Sequence, residues 1–232
     1  MRLTGQSGCL SNFMPACTRE PGGAAMDAAH AQVRQRSREP PNCSHPEPIP
    51  DHVHQPWLGG GTMRWEQVLA VASVRFLGQP AQHTIYYDRK PRDTKQWRCA
   101  CAFATACVHR KSQPMVGKKD VANAAHRSDL MRLDVLEEHG GIYVDHDAFV
   151  LRSLSQLRRC TGTGVRAGYE YFSRDRHKLN NGVLLARAGA RFLSLWREAY
   201  SKDFRPSEWD YNSCVVPFQL ARRSAARTHG LA

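Results

Sequence analysis

The sequence predicts an α/β fold on three observations. Apolar residues recur at helical spacing in 65–77 and 121–139. Short β-branched or aromatic runs at 52–58, 83–87 and 142–144 lie between these segments. The pair Gly140-Gly141 ends the longer helix directly before a strand. Alternation of this kind implies helices packed on a sheet.

In chain order, residues 1–46 are rich in Gly, Pro, Ala, Ser and Arg and carry no apolar period, so they read as a disordered leader. A folded domain is expected over 47–232. Its first strand, His52 to Leu58, runs into the turn Gly59-Gly60-Gly61. Trp65 to Leu77 follows as a helix, with Val68, Leu69, Ala72, Phe76 and Leu77 on its apolar face and Thr62 as N-cap. His83 to Tyr87 reads as a buried strand. Between 89 and 119, the stretch RKPRDTKQW reads as loop, and CAFATACVH fits helix or strand.

Val121 to His139 is the clearest helix, with Ala125, Leu130, Leu133 and Leu136 in period. Glycine stops it because it enters the left-handed region cheaply. Ile142-Tyr143-Val144 then delivers the chain to Asp145. Val165 to Tyr171 is a further strand. Phe192 to Tyr200 is a helix with Phe192, Leu195, Trp196 and Ala199 to one side.

Bulk properties narrow the function classes. A net charge of +12 suits an anionic partner, but the basic residues are scattered and have no interleaved aromatic pattern, so a nucleic-acid binder has charge alone in its favour. No run approaches the ~20 apolar residues that cross a bilayer, and the first residues lack a signal-peptide core. Of eight cysteines, Cys99, Cys101 and Cys107 cluster as C-x-C-x5-C, which is no standard zinc spacing; a local disulfide or plain thiols fit.

The chemistry concentrates at Asp145-His146-Asp147. These acids emerge from an apolar strand and precede Ala148-Phe149-Val150-Leu151, so they leave a core element rather than a charged surface run. Two carboxylates placed there need a compensating partner, and hard oxygens suit Mg²⁺ or Mn²⁺. Ligands of open α/β sheets collect at this end of the strands. On the preceding helix Asp129 and Arg132 stand three apart. That spacing fits a plain intrahelical ion pair, and it also fits a carboxylate and guanidinium facing sugar hydroxyls and phosphate.

Taken together, Ala125 to Leu151 (AHRSDLMRLDVLEEHGGIYVDHDAFVL) closely resembles the signature of the DXD-containing sugar-transferase family. That family includes fungal α-mannosyltransferases, animal α-galactosyl and α-N-acetylglucosaminyl transferases, and the glucosylating domains of bacterial toxins. Ile49-Pro50-Asp51-His52-Val53-His54-Gln55-Pro56-Trp57 is similar to the family's first strand, apart from the proline before the tryptophan. Asn180-Asn181-Gly182-Val183-Leu184 is similar to a later segment, and the likeness spans roughly 48–220.

The resemblance implies a GT-A-type, Rossmann-like nucleotide-sugar domain. It implies Mn²⁺- or Mg²⁺-dependent transfer, with retention, from a UDP- or GDP-sugar to a glycan, glycolipid or protein acceptor, and a Golgi or secretory location. Asp145 and Asp147 would hold the metal and the donor diphosphate. Asp129 and Arg132 would contact ribose and sugar, Tyr143 would line the donor site, Trp57 would stack on the base and Asn181 would touch the sugar. No nucleophile or base is identified; Glu170 and Asp210 read as solvated acids. Trp209-Asp210-Tyr211-Asn212 resembles an internal family segment, yet the sequence stops at Ala232. A C-terminally incomplete domain is therefore expected, and with it the alternative of a non-catalytic protein that at most binds a sugar nucleotide.

Overall fold

The computed structural model describes residues 48–159, 164–169 and 178–228, so the expected leader lies outside the described residues. A six-stranded sheet has the order β3-β2-β1-β6-β8-β7. Its strands are β1 (His52–Trp57), β2 (Gln82–Tyr87), β3 (Ala106–His109), β6 (Gly141–Val144), β7 (Val165–Tyr169) and β8 (Leu179–Ala186). Strands β3, β2, β1 and β6 run parallel, and β8 is antiparallel to both β6 and β7. A two-stranded ribbon of β4 (Met115–Val116) and β5 (Lys119–Asp120) stands apart.

Side-chain alternation sorts the strands between two helical layers. Ile85 and Tyr87 join Val68, Val71, Ala100 and Phe103 of α1 (Trp65–Ser73) and α2 (Lys95–Phe103). Tyr86 and Tyr143, on the opposite face, join α3 (Ala124–His139) and α4 (Arg191–Lys202), through Leu130, Leu133, Leu193 and Trp196. The last helix, α5 (Val216–Thr228), packs on this side through Val216.

Several element expectations change. Helix α1 is capped at Arg64, not Thr62, with Gln67 Oε1 accepting the Arg64 amide; beyond Ser73 it widens into a π-turn, Val74–Gly78. Its buried residues are Val68, Ala70, Val71 and Val74, whereas Leu69, Phe76 and Leu77 are exposed. The RKPRDTKQW stretch is not all loop: Thr94 accepts the Trp97 amide and starts α2 at Lys95. CAFATACVH then divides into helix end and β3, and a Cys101–Cys107 disulfide joins the two. Helix α3 starts at Ala124 behind an Asn123 cap. Leu193, rather than Leu195, is a buried contact of α4.

The Gly140-Gly141 stop holds in detail. Both residues have positive φ, and a Cβ on Gly141 would lie 2.4 Å from the His52 carbonyl oxygen and 2.9 Å from His54 Nε2. Only glycine lets β6 leave α3 this close to β1.

Candidate functional site

Parallel pairing of β1, β2 and β6 brings three strand ends to one edge: Trp57, Asp88 and Asp145. Because β8 runs the other way, its first residues, including Asn181, reach the same edge. There the structure has a cleft of about 730 Å³, within the range of small-molecule sites. Its lining includes Trp57, Asp129, Arg132, Asp145, Asp147 and Asn181, six of the seven residues expected at the donor site.

The seventh, Tyr143, is corrected: it does not line the cleft. Tyr143 and Asp145 are two apart and point to the same side of the sheet, toward α3. The buried Tyr143 hydroxyl donates to Asp145 Oδ1 at 2.5 Å and accepts from Arg132 Nη2 at 3.0 Å. Its ring lies 4.2 Å from the Arg132 guanidinium. Tyr143 is thus a support beneath the acid, and burial raises its pKa so that the hydroxyl keeps its proton.

Arg132 is buried and central. Its guanidinium lies 3.3 Å from Asp145 Oδ1 and 3.4 Å from Asp129 Oδ1. The i,i+3 pairing on α3 therefore exists, and both of its residues line the cleft. Burial opposes the Arg132 charge, but Tyr143, Asp145 and Asp129 outweigh it and raise the pKa. Arg132 Nε and Nη1 make no hydrogen bond among the described residues. Asp129 Oδ1 also accepts from Asn181 Nδ2 at 2.9 Å, tying β8 to α3.

Asp147 is not on the strand with Asp145. The chain turns after β6, with the Ala148 amide on the Asp145 carbonyl, and Asp147 sits exposed on that turn. The Asp145 amide donates to the Gly182 carbonyl, and a Cβ on Gly182 would lie 3.0 Å from Asp145 Oδ2. Burial, then the charges of Asp147 and Asp129, push the Asp145 pKa up against the pull of Arg132 and Tyr143.

Crowded carboxylates of this kind fit a divalent cation. Asp145 Oδ1 is committed to Tyr143 and Arg132, which leaves Oδ2 and the Asp147 carboxylate as oxygen donors. Among the described residues no three His, Cys, Asp or Glu groups are placed to hold a metal. Two carboxylates suit Mg²⁺ or Mn²⁺ when a ligand's phosphates and water complete the shell.

Other features were not legible in the motif. His146, the middle residue of the triplet, is buried and meets the Trp57 ring edge-on at 5.3 Å, with burial lowering its pKa to about 4. Trp57 Nε1 donates to the Gly61 carbonyl at 3.0 Å. Asp88 accepts from the Gly59 amide and from Ser112 Oγ, both at 2.7 Å, which tethers the glycine turn after Trp57. Opposite, Lys178 pairs with Asp210, and Trp209, Ser213 and Cys214 complete the wall. Asp210 is therefore an ion-paired rim residue; Glu170 lies outside the described residues. Only the W-D-Y-N likeness hinted at this wall.

A mostly parallel sheet with paired acids past its central strand and an arginine beneath them is a GT-A-like arrangement. The comparisons agree: the family described as "Glycosyltransferase sugar-binding region containing DXD motif" matches residues 104–162, which include Asp129, Arg132, Asp145 and Asp147. A curated relative, "Glucan organizing enzyme 1" of Cryptococcus neoformans var. grubii serotype A, is 25% identical over 185 residues. That alignment covers 75% of this chain and 50% of the relative, so the chain spans about half the relative's length. Among solved structures, "PaToxG Glycosyltransferase" superposes with a TM-score of 0.57 at 14% identity, over 90% of this chain and 82% of that one, a likeness of fold.

Proposed function

We propose that the chain binds a UDP- or GDP-sugar with Mn²⁺ or Mg²⁺ and transfers the sugar, with retention, to a glycan, glycolipid or protein acceptor. The observation that carries this reading is the convergence of Asp145, Asp147 and Arg132 on the floor of one cleft with Trp57 on its wall. Asp145 Oδ2 and Asp147 would hold the cation, which when bound neutralises charge on the departing nucleotide diphosphate. Arg132, paired with both Asp129 and Asp145 at the cleft, would hold the two carboxylates in place toward the donor. Asp129, oriented by Asn181, accepts from sugar or ribose hydroxyls. Trp57, braced by His146 and Gly61, provides a face for the base.

The Cys101–Cys107 disulfide supports a secretory, oxidising setting, in line with a Golgi location. No helix among the described residues is long and apolar enough to cross a membrane. A thermal-shift screen of UDP- and GDP-sugars, with and without Mn²⁺, tests the reading. A metal-dependent rise in melting temperature supports it, and no response to any sugar nucleotide contradicts it. Donor binding without turnover across an acceptor screen would favour the non-catalytic alternative.

A further inference from the structure

His126 opens α3, one turn before Asp129, and is buried at 2% exposure. Its Nδ1 lies 3.7 Å from Asp129 Oδ2, the oxygen that Asn181 and Arg132 leave to others. The Tyr200 hydroxyl, from α4, is 3.5 Å from Nδ1 and 3.4 Å from the same Oδ2. On its other side His126 bonds the backbone of Pro206, and its ring meets Phe204 edge-on at 5.4 Å. Pro206 begins the segment that brings Trp209 and Asp210 to the cleft mouth. One imidazole therefore touches the donor-site carboxylate and the base of the opposite wall.

Only the imidazolium donates from both nitrogens at once. The neutral ring has one N–H and must release either the carboxylate or the Pro206 carbonyl. Among the described residues, the titratable groups against His126 are Asp129 from α3 and Tyr200 from α4, with Arg132 beyond Asp129. Beyond Phe204, Lys119 from β5 donates to the Phe204 carbonyl. Tyr200 keeps its proton, its pKa raised by burial and by Asp129, and Arg132 is spent on Asp129 and Asp145. The Asp129 carboxylate is thus the anion that answers the ring. Its contact raises the His126 pKa against the opposing effect of burial, with help from the Pro206 carbonyl.

We propose that His126 is a positioning residue of the donor site, whose protonated ring holds Asp129 and the Pro206 segment together and so couples donor binding to pH. The inference rests on the assignment of Asp129 to the donor. Its consequence has a definite sign: the clamp is present at low pH and lost as pH rises through the raised His126 pKa. A sugar nucleotide that needs the clamped arrangement then binds more weakly in alkali. A shift of one pKa unit between free and bound protein corresponds to about tenfold in affinity, so roughly three- to tenfold is expected across the titration.

The test uses the full chain with UDP-glucose and GDP-mannose in MgCl₂, titrated calorimetrically at pH 6.0 and 8.0. The His126 ring proton resonance, identified by its absence in His126→Gln, is followed by NMR in wild type and in Asp129→Asn. The expected results are weaker binding at pH 8.0 in wild type and no pH difference in His126→Gln. The His126 midpoint should lie above that of an ordinary histidine and fall in Asp129→Asn. A wild-type affinity that does not change with pH overturns the inference, as does a His126→Gln protein that keeps the wild-type pH profile. If neither nucleotide binds at any pH while the NMR midpoint still depends on Asp129, the donor assignment has failed and the coupling falls with it. An ordinary midpoint, unchanged in Asp129→Asn, refutes the clamp even if donor binds.

Discussion

Replacing Arg132 by methionine should destabilise the fold and disable the site together. The guanidinium is buried at 3% exposure between Asp129 and Asp145 and caps the Tyr143 hydroxyl. Methionine fills similar volume but leaves two carboxylates without their cation. Breaking a fully buried pair in this way costs about 3–5 kcal/mol. The Asp129 side chain is 8% exposed and that of Asp145 is 32%, so water offsets part of the penalty at Asp145. We expect about 2–4 kcal/mol, or a melting temperature lower by roughly 4–16 °C for a domain of this size. Mg²⁺ should restore part of the loss, because it neutralises the same acids. Urea unfolding of wild type and Arg132→Met, each with and without Mg²⁺, provides the assay. A change below about 0.5 kcal/mol, the size of an ordinary surface substitution, would refute the ion-pair reasoning.

Three further outcomes follow from the same geometry. Trp57→Ala should weaken sugar-nucleotide binding by about 1–3 kcal/mol, measured by calorimetry, while the folded chain persists, since stacking on the base is its assigned role. Gly141→Ala should cost at least about 2 kcal/mol in urea unfolding, because φ is +107° and the added methyl meets the His52 carbonyl oxygen at 2.4 Å. Stability should also fall in acid through His54 and His83, buried and each held near a pKa of about 3, burial being the main cause. Their depressed values mean stability that is present above the unfolded histidine pKa near 6.5 and is lost as pH drops toward 3. At pH 5.5 this is at most about 1.4 kcal/mol per group, and His54→Gln should flatten the pH dependence of urea midpoints.

Much of the fold was readable because its signals are local. The α3 periodicity, the double glycine and the β6 run each depend on neighbours in sequence, and all three appear as expected. The face of α1 was misread because Leu69, Phe76 and Leu77 are apolar yet exposed; burial there depends on how the helix meets Ile85 and Phe103. Strand β8 and helix α5 had only weak periodicity of their own, since β8 is defined by its partners β6 and β7.

The site divides in the same way. Asp129, Arg132, Asp145 and Asp147 stand within one short stretch of sequence, and the fold gathers them at one cleft. Tyr143 was assigned to the cleft on likeness, but its buried hydroxyl is held between Asp145 and Arg132. The pairings of Asp88 with Gly59, Lys178 with Asp210 and His126 with Pro206 act across 29 to 80 residues of chain. Such contacts leave no mark in local spacing.

The central claim is that Asp145 and Asp147 bind a cation together with a nucleotide diphosphate. Calorimetric titration of UDP- and GDP-sugars into wild type and Asp147→Asn, with Mn²⁺ and with EDTA, tests it most directly. Asp147 is exposed on its turn, so the substitution leaves the core intact. The account predicts Mn²⁺-dependent binding in wild type that EDTA abolishes and Asp147→Asn weakens at least tenfold, about 1.4 kcal/mol. Equal affinity in EDTA, or in Asp147→Asn with Mn²⁺, would contradict it.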